Sequence, residues 1–155
     1  MKTSAGILLY REGESGLEVL IAHMGGPFWR GKDARAWSIP KGELEAGEEP
    51  LAVARREFEE ELGSAPPHGS YLELGELKQS SAKRVIVFAL RGDLDVETVH
   101  SNSFSLEWPK GSGRIREFPE IDRAAWVSPE TAAEKLVLGQ VQFLERLRQA
   151  LARAG

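Results

Sequence analysis

Two short apolar runs open the chain, Ser4 to Tyr10 (SAGILLY) and Leu17 to His23 (LEVLIAH), separated by the turn-like REGESG. Runs of this length, rich in β-branched and bulky residues and bounded by Gly and polar positions, predict two strands joined as a hairpin with a longer loop. Met24 to Ala34 (MGGPFWRGKDA) breaks the pattern with glycine, charge and aromatic residues and reads as a loop. Ala36-Trp37-Ser38-Ile39 returns to strand character for one short step and stops at Pro40.

The period then changes. From Glu49 to Leu62 the residues Leu51, Phe58 and Leu62 fall on one side at 3.6-residue spacing, which predicts an amphipathic helix. Pro50 suits its first turn, where a missing N–H is harmless. Gly63 suits the left-handed position just past its end. Tyr71 to Gln79 and Lys83 to Leu90 predict two more strands, and Phe104 to Trp108 another within an otherwise irregular stretch from Arg91 to Phe118. Ala124 to Val127 reads as a short strand, and Ser128-Pro129-Glu130 as a helix start. A final helix from Gln140 to Ala152 carries Phe143, Leu144, Leu147 and Leu151 as its apolar stripe. The expectation is a single α/β domain over residues 1–155.

Composition narrows the partners. There is no cysteine, which removes disulfides, thiolate nucleophiles and cysteine-ligated zinc, and fits a cytoplasmic protein. The N-terminal apolar run is too brief for a signal sequence, and nothing later approaches a membrane span, so no membrane partner is expected. A net charge of −4 argues against a nucleic-acid polymer, which is gripped by basic surfaces. It leaves room for a small anionic ligand whose charge a cation neutralises. Monomer and homodimer are both compatible.

The candidate chemistry sits on the central helix. At about 100° per residue, Glu57, Glu60 and Glu61 project within one sector, with Phe58 and Leu62 pointing away and Glu59 outside it. Like charges at such spacing repel by a few tenths of a kcal/mol per pair. Either the sector is a solvated face offset by Arg55 and Arg56, or it gathers a hard divalent cation such as Mg²⁺ or Mn²⁺, which prefers oxygen ligands.

The surrounding stretch, GELEAGEEPLAVARREFEEELG from Gly42 to Gly63, resembles the Nudix box, G-x5-E-x7-R-E-U-x-E-E-x-G-U, where U is bulky and apolar. Gly42, Glu48, Arg56, Glu57, Phe58, Glu60, Glu61 and Gly63 all fall in place. Ser64 stands where an aliphatic residue is usual, from which a local packing change is expected, with the chemistry kept. Trp37-Ser38-Ile39-Pro40-Lys41-Gly42 is similar to the strand and turn that lead into that box. The resemblance implies an α/β/α sandwich with a mixed β-sheet between helices, and metal-dependent hydrolysis of a nucleoside diphosphate linked to another group. It implies Glu57, Glu60 and Glu61 as ligands of Mg²⁺ or Mn²⁺, with the Gly42 carbonyl as a further one and Glu48 as an outer one. Arg56 would orient a carboxylate by a charge-assisted hydrogen bond.

For the general base the family offers two patterns, Glu57 itself or a carboxylate from a distant loop. Here Glu120 and Asp122, in REFPEIDRAAW, are the distal candidates, against an ordinary polar loop. Lys41 is either a phosphate contact or a surface lysine. Phe28, Trp29, Phe104 and Trp108 lie in or near loops where a nucleobase could stack, with Trp29 and Phe104 as the chosen pair. Trp37 and Trp126 lie in strands and are expected in the core. The lead-in and the late EFPEIDRAAW segment are similar to dinucleoside polyphosphate hydrolases; nucleoside triphosphates come next. ADP-sugars are less favoured, because those pyrophosphatases commonly carry an extra N-terminal region. A non-catalytic, nucleotide-binding Nudix domain is the alternative from another class, and the intact set of acidic residues speaks against it. Gly111-Ser112-Gly113 lacks the third glycine of a dinucleotide fingerprint, and His23, His68 and His100 have no metal-ligand spacing.

Overall fold

The computed structural model describes residues 1–154. Its strands are β1 (Lys2–Gly13), β2 (Gly16–Met24), β3 (Trp37–Ser38), β4 (Lys41–Glu43), β5 (Tyr71–Ser80), β6 (Lys83–Arg91), β7 (Ser103–Glu107), β8 (Ile115–Pro119) and β9 (Ile121–Val127). Its helices are α1 (Pro50–Leu62), α2 (Pro129–Lys135) and α3 (Gln142–Ala154), with 3-10 turns at Val96–Thr98 and Leu138–Gln140. No helix among the described residues is long and apolar enough to cross a membrane.

The main sheet runs β3-β2-β1-β6-β5, with β4 also on β1 and β9 also on β2. β1 and β2 form the expected antiparallel hairpin, while β1 and β6 pair in parallel, so the sheet is mixed. Alternation along β1 explains why both faces are covered. Ala5, Ile7 and Leu9 pack with Phe58 and Leu62 of α1, whereas Leu8 and Tyr10 pack with Ala132 of α2 and Phe143, Leu144 and Leu147 of α3. A strand buried on both faces reads as a continuous apolar run, as ILLY does. The result is the α/β/α sandwich.

Three differences from the sequence reading bear on the site. β4 carries no apolar signal in Lys-Gly-Glu; three register pairs to Ser4, Ala5 and Gly6 hold it. β8 pairs with β7 as a separate ribbon, Phe104 opposite Phe118 and Leu106 opposite Arg116. β9 starts at Ile121, earlier than expected, which brings the Glu120 region against the end of β2.

Candidate active site

The loop-to-helix entry sets the geometry. Glu49 caps α1 in an extended conformation with Pro50 following, and the N-cap side chain makes no bond to the helix. Glu48 closes the turn instead: its carboxylate accepts the Glu45 N–H at 2.8 Å and an Arg56 Nη1–H at 2.7 Å. These two bonds hold the Glu48 carboxyl below the usual range. The same guanidinium lies 3.6 Å from Glu57 Oε1, so Arg56 stands between two carboxylates.

Gly42 explains how Glu57 reaches the sheet. A Cβ on Gly42 would collide with the Glu57 carboxyl, so only a glycine lets that group seat against the β4 backbone. At the far end, Gly63 adopts φ 84° and its N–H bonds the Glu59 carbonyl at 2.8 Å, ending the helix. A left-handed residue of this kind costs little for glycine alone.

Glu61 faces inward and is 8% exposed. Burial pushes its carboxyl up to about 8, against the pull of the Lys41 ammonium and with a further push from Glu57 and Glu120. Burial, then the Glu60 charge, raises Glu57. Burial and the Glu60 charge also raise Glu120. These shifts tie four carboxylates from two parts of the chain into one electrostatic group. Lys41, half-buried on β4, has its ammonium lowered by burial, with Glu61, Glu43 and Glu57 acting the other way.

Glu120 is carried to this group by main-chain bonds between distant segments. Asn102 N–H donates to the Glu60 carbonyl at 3.0 Å, Glu120 N–H to the Asn102 carbonyl at 2.9 Å, and Gly25 N–H to the Glu120 carbonyl at 2.8 Å. Ser101 adds a clamp, its hydroxyl donating to the Ile121 carbonyl and accepting the Ile121 N–H at 3.0 Å. Asp122 goes elsewhere. Its Oδ1 lies 2.8 Å from Nδ1 of the fully buried His23, whose Nε2 lies 2.6 Å from the Lys32 carbonyl. That link ties the 24–36 loop to β9; nothing in the spacing of His23 and Asp122 announces it.

The aromatic candidates separate by exposure. Phe28 is 63% exposed and meets Trp29 edge-on at 4.9 Å, with Lys32 Nζ 3.6 Å from the Phe28 ring centre. Trp29 packs partly against the core. Phe104 is half-buried, its ring over Gly26 and 6.1 Å from Phe118. Trp37 is buried, whereas Trp126 is half-buried, donates to the Leu94 carbonyl and lies under Arg11 at 4.1 Å.

No three acidic or imidazole groups among the described residues converge closely enough to cage an ion as they stand. The side chains are drawn apart by other partners: Glu57 onto Gly42 and Arg56, Glu61 toward Lys41. The donor set nevertheless fits a hard cation. Glu57, Glu61 and Glu120 are each raised by burial and then by the charge of neighbouring carboxylates, a cost that a divalent ion relieves.

A family model described as NUDIX domain matches residues 1–147. The crystal structure of a C. elegans Ap4A hydrolase binary complex superposes with a TM-score of 0.65 at 17% identity, covering 99% of both chains. The NUDIX domain of Shewanella oneidensis NrtR, complexed with ADP ribose, gives 0.62 at 12% identity over 96% of this chain and 87% of that one. A MutT protein from Methanosarcina mazei Go1 gives 0.57 at 22% identity over 96% and 93%. An octanoyltransferase from Myxococcus xanthus is 36% identical over 100 residues, 64% of this chain but 25% of that protein, so the chain spans about a quarter of that relative.

Proposed function

This chain belongs to the NUDIX domain family, and from that premise we propose that it is a pyrophosphohydrolase cleaving a phosphoanhydride in a nucleoside diphosphate derivative. The observation that carries the reading is the coupled group of Glu57, Glu60, Glu61 and Glu120 beside the bare backbone of Gly42. Glu57, Glu60 and Glu61 would hold Mg²⁺ or Mn²⁺, with the Gly42 carbonyl as a further ligand and Glu48 outside it. When bound, such an ion neutralises charge on the diphosphate oxygens and acidifies water.

The protein's own side chains supply the rest. Arg56 fixes Glu48 and Glu57 by charge-assisted contacts, so the ligand carboxylates keep their geometry between turnovers. Glu120, brought beside Glu60 by the Asn102 and Gly25 main-chain bonds, accepts the proton of the attacking water. Glu57 is the other carboxylate placed for that role. Lys41 offsets the charge of Glu61 and adds a cation near the phosphates. The exposed Phe28, with Trp29 beneath it and Phe104 across Gly26, offers a surface for a nucleobase.

Dinucleoside polyphosphates are the favoured substrates and nucleoside triphosphates the next. That order rests on the WSIPKGE lead-in and the EFPEIDRAAW segment; the likeness to the Ap4A hydrolase structure is one of fold alone. The test is a panel of dinucleoside polyphosphates, nucleoside triphosphates, ADP-ribose and ADP-glucose with Mg²⁺ or Mn²⁺, products identified by mass. Cleavage of one class by the wild type, lost by orders of magnitude in Glu60→Gln without change of fold, is expected. Cleavage that survives Glu60→Gln contradicts the assigned role, and no cleavage of any class contradicts the activity.

A further inference from the structure

Among the described residues the β7–β8 ribbon pairs only with itself, outside the main sheet. Cross-strand partners share a face and successive residues alternate, so its side chains can be sorted. One face carries Phe104, Leu106 and Trp108 along β7 and just past its end. Opposite them stand Phe118, Arg116 and Arg114, the last through the Trp108 N–H bond to the Arg114 carbonyl at 2.9 Å. The other face carries Ser105 with Glu117 and Glu107 with Ile115. Every acid of the ribbon is therefore on one side, and two arginines lie with the apolar row on the other.

Glu107 is also occupied, accepting the Gly111 and Gly113 N–H groups at 2.8 and 3.2 Å and closing the tip. Near the root, the Phe104 ring rests on Gly26 and Phe118 is buried, so this face is anchored there at the start of the 25–35 loop. The same root holds Glu120, joined to Asn102 and Gly25. Further out, Leu106 is 37% and Trp108 36% exposed. Five residues of strand at about 3.3 Å each put Trp108 and Arg114 roughly 17 Å from the root.

We propose that this face is a second nucleoside platform, binding the far nucleoside of a dinucleoside polyphosphate on Leu106 and Trp108 while Arg114 and Arg116 take its outer phosphates. The inference rests on the pyrophosphohydrolase reading above. An apolar surface flanked by the two arginines, with the ribbon's acids on the opposite side, matches a base joined to phosphate. A nucleoside triphosphate held at the carboxylates has no second base to fill it; a dinucleoside polyphosphate has.

The test compares diadenosine tetraphosphate with ATP for the wild type, Trp108→Ala and the double variant Arg114→Ala/Arg116→Ala, with circular dichroism as a check of folding. The expected result is a rise in KM for the dinucleotide of roughly tenfold or more, since base–aromatic stacking is a large contribution, with kcat and the ATP parameters nearly unchanged. An unchanged KM, or equal rises for both substrates, overturns the proposal. So does a dimer, seen by sedimentation, that Trp108→Ala dissociates without altering the dinucleotide KM, which would assign the face to a second copy. If the wild type cleaves neither compound the pyrophosphohydrolase reading fails by itself. Quenching of tryptophan fluorescence then decides the ribbon. Tighter binding of the dinucleotide than of ATP, lost in Arg114→Ala/Arg116→Ala, sustains it, and equal binding overturns it.

Discussion

A single missing Cβ holds Glu57 in place. Because any side chain at position 42 meets the Glu57 carboxyl, Gly42→Ala should cut hydrolysis steeply while leaving the unfolding midpoint close to that of the wild type. Parallel assays of turnover and thermal melting check this; an active Gly42→Ala protein would show that Glu57 need not seat there. Glu61 gives a pH signature. In protein stripped of divalent ions, its folded carboxyl keeps a proton up to about 8, while the unfolded one releases it near 4.5. Across that window the folded state binds more protons, so stability falls as pH rises. The raised carboxyls of Glu57 and Glu120 act in the same direction. Melting curves in EDTA should therefore decline from pH 5 to 8, with a flatter profile for Glu61→Gln; an equally steep decline in the variant would remove Glu61 as the cause.

Helix α1 is where the sequence speaks most plainly and where packing makes the site rigid. Phe58 is wholly buried against Ala5, Ile7 and Leu9, so Phe58→Ala should cost about 3–5 kcal/mol in a denaturant titration. Gly63→Ala forces a side chain into a left-handed residue and against the His100 carbonyl, so it should cost at least about 1–2 kcal/mol. The apolar period of α1, its proline entry and its glycine stop are local, which is why its bounds were readable almost to the residue. The β1–β2 hairpin and β5–β6 were readable for the same reason. β4 and β8 were not: Lys-Gly-Glu and Ile-Arg-Glu-Phe-Pro gain their strand conformation from partners supplied by other parts of the chain. The three glutamates of α1 could be grouped from helical spacing alone, and Glu120 could be suspected. Its approach to Glu60 depends on main-chain bonds through Asn102 and Gly25, which no pattern of side chains encodes.

At the scale of the whole molecule, two helical layers clamp a mixed sheet, and the carboxylate group sits where α1, β4 and the entry to β9 meet. Burying so much like charge is tolerable if a cation joins it in the working protein. A ligand that binds only the folded state raises stability by mass action, so saturating Mn²⁺ should raise the melting temperature and EDTA should lower it again. The most direct measurement is an isothermal titration of Mn²⁺ into the wild type and into Glu60→Gln, each with and without nucleotide. The expected result is saturable, stoichiometric binding to the wild type, tightened by nucleotide and weakened at least about tenfold in the variant, the scale expected when a charged ligand is lost. Absence of a saturable site in the wild type with nucleotide present, or equal affinity in the two proteins, would contradict it.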